Sequence, residues 1–161
     1  MNLKTVLLIF GVILVLVAGI IFLRFNLKNL QGSGTNQLPT TKVTIDKQTF
    51  TAEVAKTPKA QQQGLSDRKS LAKDAGMLFV FNKPGIYPFW MRKMDFPLDM
   101  IYINQNTIVQ IFKNLPAPVS PTSTLPIYQS IDSADKVLEI NAGLSDTYGF
   151  KKGDAVTISS L

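Results

Sequence analysis

Three acidic residues, Glu53, Asp99 and Glu139, fall inside stretches that read as β-strands, and their surroundings decide what chemistry they can do. In Leu98-Asp99-Met100-Ile101-Tyr102-Ile103 the side-chain period of two puts Asp99 on the face of Ile101 and Ile103. A carboxylate on an apolar face lies at the rim of a core or is buried with a partner, because an unpaired buried charge is very costly. Arg68 and Arg92 are the only arginines after residue 40, and Arg can hold a carboxylate through two parallel hydrogen bonds. An Asp99–arginine clamp that fixes strand register is therefore expected. A ligand-facing Asp99 is the alternative, since perturbed ionisable groups also cluster at functional sites. Glu53 shares a face with Thr51 and Ala55, and Glu139 with Val137 and Asn141. Turned inward, two or three such carboxylates could serve as a general acid/base pair or bind a hard cation. No run of Asp at calcium-loop spacing supports the cation, and solvated strand faces are the plainer expectation for both glutamates.

Phe89-Trp90-Met91-Arg92 offers a contact surface. Alternation sets Phe89 and Met91 on one face, and Trp90 and Arg92 on the other. If the first pair is core, Trp90 and Arg92 project together, which suits stacking on a sugar ring or gripping a partner protein. A core position for Trp90 is the competing expectation. Glu53, Arg68, Trp90, Arg92 and Asp99 are thus the candidate ligand-binding residues. No catalytic residue, metal ligand or cofactor is assigned. The chain has neither Cys nor His, which removes disulfides, thiol nucleophiles, the usual zinc sites and Ser-His-Asp catalysis. It also lacks a phosphate-cradling glycine loop and a dinucleotide fingerprint. Ser70-Leu71-Ala72-Lys73 and Ser133-Ala134-Asp135-Lys136 fit the Ser-x-x-Lys start of an acyl-transfer site, but the companion motifs of that class are absent.

The elements that must position these residues are mostly strands. Lys42-Val43-Thr44-Ile45 and Thr49 to Ala55 form a hairpin around Asp46-Lys47-Gln48. Thr57-Pro58 starts a short helix that Gly64 stops, with Thr as the N-cap and Pro at the first helical position. The unbroken run Met77-Leu78-Phe79-Val80-Phe81 reads as a strand buried on both faces, followed by a turn at Asn82-Lys83-Pro84-Gly85. Tyr87 to Arg92 returns as a strand, and Leu98 to Ile103 and Ile108 to Phe112 pair across Asn104-Gln105-Asn106. Four prolines between Leu115 and Pro126 mark a long loop. Val137 to Ala142 and Ala155 to Ser159 complete the set, with a helical turn between Gly143 and Gly149. The expected class is α+β and mostly antiparallel β, a compact barrel-like domain of about eight strands with one or two short helices.

That domain stands behind a different kind of segment. Residues 5–23 carry no charge, and 19 residues at about 1.5 Å each come close to the 30 Å of a bilayer core. The run continues through Ile20, Ile21, Phe22 and Leu23 past the small pair Ala18-Gly19, which favours an uncleaved signal anchor over a cleaved signal peptide. Residues 1–25 are therefore expected as a signal-anchor transmembrane helix, 26–41 as a flexible linker, and 42–161 as a β-rich extracytoplasmic domain. Among 161 residues, 17 Lys+Arg against 11 Asp+Glu give a formal net charge of +6. Lys4, Arg24 and Lys28 flank the apolar run, so the folded part is only mildly basic and no nucleic-acid partner is expected.

The motifs Glu53-Val54-Ala55, Thr57-Pro58, Gly64-Leu65, Gly76-Met77-Leu78-Phe79-Val80-Phe81, Phe89-Trp90-Met91 and Pro97-Leu98-Asp99 occur here in order. With Leu138-Glu139-Ile140-Asn141-Ala142-Gly143 and Gly153-Asp154, they make the chain resemble the domain of unknown function 192 family from about Phe50 to Ser160. The resemblance implies a compact β-rich domain, often exported or membrane-anchored, with no agreed activity. The sequence departs from the family pattern at Gln61, where Arg is usual, at Ser66, where Met is usual, and in Arg92-Lys93-Met94, where a basic residue followed by Asn and Thr is common.

Taken together, the residues point to a single-pass membrane protein anchored through residues 5–23, whose extracytoplasmic domain binds a glycan, a peptide or an envelope protein. The Pro-rich loop 115–126 is expected near that site. Two alternatives stand beside this reading. One is a carboxylate-dependent hydrolase of cell-wall sugars, using two of Glu53, Asp99 and Glu139 in one cleft; the other is a structural partner in a membrane complex.

Overall fold

The computed structural model describes residues 2, 17, 19–22, 37–120 and 124–159. The chain divides into two compact units, Met1–Gln37 and Leu38–Leu161. In the first, Val17 and residues 19–22 are helical, and most of the expected anchor and linker lies outside the described residues. No helix among the described residues is long and apolar enough to cross a membrane.

The second unit is mostly sheet. Its elements are β1 (Thr40–Ile45), β2 (Gln48–Ala55), α1 (Pro58–Gln63), β3 (Ala75–Gly85), β4 (Leu98–Asn104), β5 (Thr107–Leu115), β6 (Ala134–Asn141), α2 (Leu144–Thr147) and β7 (Val156–Ile158). Thr40 and Thr41, expected in the linker, already belong to β1. The seven strands form one sheet in the order β5-β4-β6-β3-β2-β1-β7. All pairs are antiparallel except β2 with β3. The sheet curls until its ends meet: Thr107 bridges Ala155, with Ile108 N–H donating to Asp154 O at 3.0 Å and Val156 N–H to Asn106 O at 2.8 Å. The result is a half-closed barrel.

The expected count of about eight strands is one too many. Residues 87–92 form no strand: Pro88 has no N–H to offer a ladder, and only Phe89 pairs, in an isolated bridge to Tyr128. The turn expected at Asn82–Gly85 is instead the end of β3, which reaches Gly85 through a register shift against β6. Both hairpins are as the sequence suggests. Ile45 pairs with Gln48 and Asn104 with Thr107, and Asp46 and Gln105 take positive φ, which Asp tolerates better than most residues. α1 is capped as expected, Thr57 Oγ1 accepting from Ala60 N–H at 3.2 Å.

Both faces of the sheet are covered, which explains the unbroken apolar runs of β3 and β4. Inside the curl, Phe50, Leu78, Ile101, Ile103, Leu138 and Ile140 pack with Phe150 and Val156. On the outer face, Met77, Phe79, Met100, Tyr102 and Val137 pack under Leu65, Met91 and Met94.

Asp99 is fully buried on the inner face, and its partner is not an arginine. Its Oδ1 accepts from the backbone N–H groups of Asn114 at 2.7 Å and Gly143 at 3.1 Å, and its Oδ2 from Ser145 at 2.8 Å. The carboxylate thereby ties β4 to the end of β5 and to the start of α2, whose cap residue Gly143 has no side chain to do so. Hydrogen bonds to a charged acceptor are about twice as strong as neutral ones, and three amides disperse the charge without a cation. Asp99→Ala strands these amides and is expected to lower the unfolding free energy by about 3 kcal/mol or more, with Asp99→Asn losing less. Urea unfolding of the three proteins measures both.

Candidate functional site

The register of the central strands sets one row of side chains across the outer face. Glu53 on β2 pairs with Met77 on β3, Met77 with Glu139 on β6, and Glu139 with Met100 on β4. Glu53 and Glu139 therefore share a face two strand spacings apart, about 10 Å between Cα atoms. Asp99 pairs with Ile140 and belongs to the opposite face. The three carboxylates do not share one cleft.

Glu53 has the arginine clamp that the sequence suggested for Asp99. Arg68 Nη1 and Nη2 donate to its two carboxylate oxygens at 2.6 and 2.8 Å. These hydrogen bonds, with the guanidinium charge, outweigh partial burial and hold the Glu53 carboxyl below the usual carboxylate range. Arg68 belongs to the segment that carries the chain from β2 to β3, so the pair fastens that crossover to the sheet.

Glu139 has no such partner. It is only 5% exposed, and among the described residues its carboxylate accepts no hydrogen bond and forms no ion pair, its oxygens keeping slight access through the cavity. Loss of hydration alone pushes its pKa up to about 8. Its row neighbours are the thioethers of Met77 and Met100, which offer no donor. The Tyr102 hydroxyl, close enough for the carboxylate to raise its pKa further, already donates towards Tyr128 O at 2.7 Å and Tyr87 O at 3.1 Å.

Glu139 lines a cavity of about 280 Å³. Its other walls are Gln61 to Ser66, Phe79 and Phe81 of β3, Tyr87 to Trp90, and Met94. The rings are mutually fixed. Phe81 stacks on Tyr87 at 3.6 Å between centroids, and Phe89 meets Phe79 edge-on at 4.9 Å. Gln61 Nε2 donates to Val80 O at 2.9 Å and Ala55 O at 3.3 Å, which pins α1 across β2 and β3. Gly64 must be glycine: its φ is +52° and an added Cβ would press on the Phe79 ring at 3.3 Å. Trp90, 48% exposed, stands where the cavity opens.

The remaining expected residues are distributed elsewhere. Phe89 and Met91 turn inward and Trp90 and Arg92 outward, as alternation suggests. Arg92 faces a separate, wider groove with Asp67, Lys69, Lys93 and Asp95. The Pro-rich loop contributes Pro118, Val119, Ser120 and Leu125 to that groove, not to the cavity beneath Trp90. Of the five candidates, Trp90 alone lines the cavity. Glu53 and Arg68 latch the crossover, and Asp99 braces the inner face. The sequence reading left out Glu139, placing it on a solvated face. The signal lay in Val137-Leu138-Glu139-Ile140: a strand apolar on both sides of the carboxylate is covered on both faces. Among the described residues, no three acidic side chains group as a metal site.

Comparison with known proteins gives an architecture without an activity. The domain of unknown function 192 family, described as "Uncharacterized ACR", matches residues 41–158. No curated protein matches the chain. A crystal structure of a protein of unknown function from Novosphingobium aromaticivorans is similar with a TM-score of 0.70 and 30% identity, over 77% of this chain and 89% of that one. A chain from Sinorhizobium meliloti, described as a candidate transcription regulator, is similar with a TM-score of 0.70 and 32% identity, over 80% of this chain and all of that one.

A carboxyl whose pKa is raised on folding binds its proton more tightly in the native state. Its stabilising contribution is complete below about pH 4.5 and is lost as pH climbs towards 8. Glu139→Gln is therefore expected to fold, to be more stable than the parent at pH 8 by a few kcal/mol, and to flatten the decline between pH 5 and 8. Thermal unfolding across that range tests it.

Proposed function

Because the chain belongs to the domain of unknown function 192 family, a membership that fixes an architecture and no chemistry, we propose from the cavity itself that the protein is a ligand-binding module held at a membrane. The observation that carries this reading is a largely apolar, aromatic-walled cavity with one buried polar group on its floor, the usual make-up of a small-molecule site. In this reading residues 5–23 anchor the chain, residues 26–41 tether it, and the domain from residue 42 works outside the cytoplasm. The uncharged run between Lys4 and Arg24 supports that placement. At about 280 Å³ the cavity suits one small ligand or one projecting side chain rather than the length of a polymer.

The hydrolase reading has less support. It needs two carboxylates in one cleft, and Glu53 both lies outside the cavity and has its two oxygens bound by Arg68. A regulator role, as in the description of the Sinorhizobium chain, would want a free basic face. Here the chain after residue 40 is only mildly basic, with 14 Lys+Arg against 11 Asp+Glu.

Trp90 is the only tryptophan in the chain, so its fluorescence reports occupancy directly. A panel of soluble sugars, peptides and small amines should contain compounds that shift its emission. Ligand-detected NMR should then show Trp90→Ala binding the same compounds roughly tenfold more weakly, since a stacked aromatic anchor carries on the order of 1–2 kcal/mol. Equal binding by the parent and Trp90→Ala would remove Trp90 from the site and the main support for this reading.

A further inference from the structure

The ammonium assignment that follows rests on the reading of the cavity as a ligand site and says what that ligand must carry. We propose that the cavity receives an organic ammonium group, its cation against the Glu139 carboxylate and its alkyl substituents against the surrounding rings. Glu139 is the only charged side chain on the cavity wall. The elements packed around it bring no counter-charge. α1 presents three glutamines, β3 presents Phe79 and Phe81, and the segment before Trp90 presents Tyr87. β4 presents Tyr102.

Three of the donors nearby are committed elsewhere, and the two that are not, the Gln62 amide and the Trp90 indole N–H, make no hydrogen bond to the carboxylate. The Tyr87 hydroxyl donates to Lys83 O at 2.7 Å, Gln61 Nε2 to two backbone carbonyls, and Gln63 Nε2 to Ser66 O at 3.1 Å. A buried carboxylate left without cation or donor is the arrangement that folded proteins avoid, because nothing repays its lost hydration. A ligand cation would supply what the fold withholds.

The walls select the kind of cation. Aromatic faces attract positive charge through their quadrupoles, and rings around an alkylated ammonium are the recurrent means of holding one. A metal ion fits poorly, since calcium and magnesium want six or more oxygen ligands with several carboxylates among them, and this wall supplies one carboxylate beside the neutral oxygens of three glutamines and Ser66. A neutral apolar ligand would fill the space and leave the carboxylate unpaired. On binding a quaternary ammonium, a protonated Glu139 releases its proton to solvent. A neutral primary amine instead takes that proton and forms the same pair.

The test uses the full-length protein in a maltoside detergent, which carries no ammonium group, and titrates it with choline and with its uncharged isostere 3,3-dimethylbutan-1-ol. Choline should bind at least about tenfold more tightly than the alcohol, and Glu139→Gln, which remains folded, should lose that preference. Because binding requires the ionised carboxylate, choline affinity should fall about tenfold per pH unit from pH 8 towards 6, while that of the alcohol stays level.

Equal affinity for the two probes, or a choline preference that survives in Glu139→Gln, overturns the ammonium assignment and leaves an apolar ligand site. Binding of neither probe also overturns it, and the broader fluorescence panel then decides the reading beneath it, so the two failures stay distinct. Glycerophosphocholine separates the sources. Binding as tight as that of choline assigns the site to a lipid headgroup, and loss of binding assigns it to a free cation, each result keeping the ammonium assignment.

Discussion

A parallel strand pair cannot be joined by a tight turn, and the one parallel pair in this sheet, β2 with β3, decides where the cavity lies. The chain must leave Ala55 at one end of β2 and travel back to Ala75 before β3 can begin. It does so across the outer face, so α1 and residues 64–74 become a roof over the central strands. Four contacts fasten that roof: the Glu53–Arg68 pair, the Gln61 amide on Val80 O and Ala55 O, Thr51 N–H on Asp74 O at 2.8 Å, and the Asn141 amide on Leu71 O and Ala72 O at 3.0 and 3.1 Å. Had β2 and β3 formed a hairpin, the face carrying Glu139 would have no cover from this part of the chain. The same register that makes the pair parallel places Glu53, Met77 and Glu139 in one row.

Three carboxylates inside strands meet three different solutions to one problem, the removal of a charge from water. Glu53 is matched by a guanidinium in two-point geometry. Asp99 is matched by three backbone amides and needs no cation. Glu139 is matched by nothing, and the protein tolerates this by favouring the protonated form. Only the first two strengthen the fold. A glutamine or leucine at position 139 would serve the strand at least as well, which is why the proposed function gives the carboxylate a role in the cavity.

Much of the sheet was legible in the sequence because its signals are local. The hairpin turns, the Thr57-Pro58 helix start and the Gly64 stop each depend on a few adjacent residues, and each stands where those residues indicate. The spurious strand at 87–92 arose because alternation of inward and outward side chains does not require a ladder. Phe89 and Met91 do turn inward, but Pro88 and the single bridge to Tyr128 leave the segment irregular. Partner choice was the part that could not be read. The arginine clamp exists as expected, yet which carboxylate receives it depends on the parallel register of β2 and β3, a long-range pairing invisible to local patterns. Glu139 was obscured for a related reason: its apolar neighbours Val137, Leu138 and Ile140 mark a strand covered on both faces, but what covers it, the crossover from β2 to β3, is set by a long-range pairing.

The two faces of the sheet are built to different tolerances, and the cavity lies on the one that can accommodate a guest. The inner cluster lies within the curl of the sheet and packs against Phe150 and Val156. On the outer face the floor belongs to β6 and its neighbours β3 and β4, the middle of the sheet, where β6 is hydrogen-bonded along both edges. The remaining walls belong to a six-residue helix and to a segment outside the strands, which is held by one isolated bridge and a few single hydrogen bonds. Elements with few backbone hydrogen bonds open at lower free energy than central strands. Glu139, Phe79 and Phe81 thus stand on the central strands, while Tyr87, Phe89 and Trp90 stand on the connecting segment. In the binding reading proposed above, that division fixes the carboxyl and two of the rings on the rigid part and leaves the other rings on the part that can adjust to a ligand.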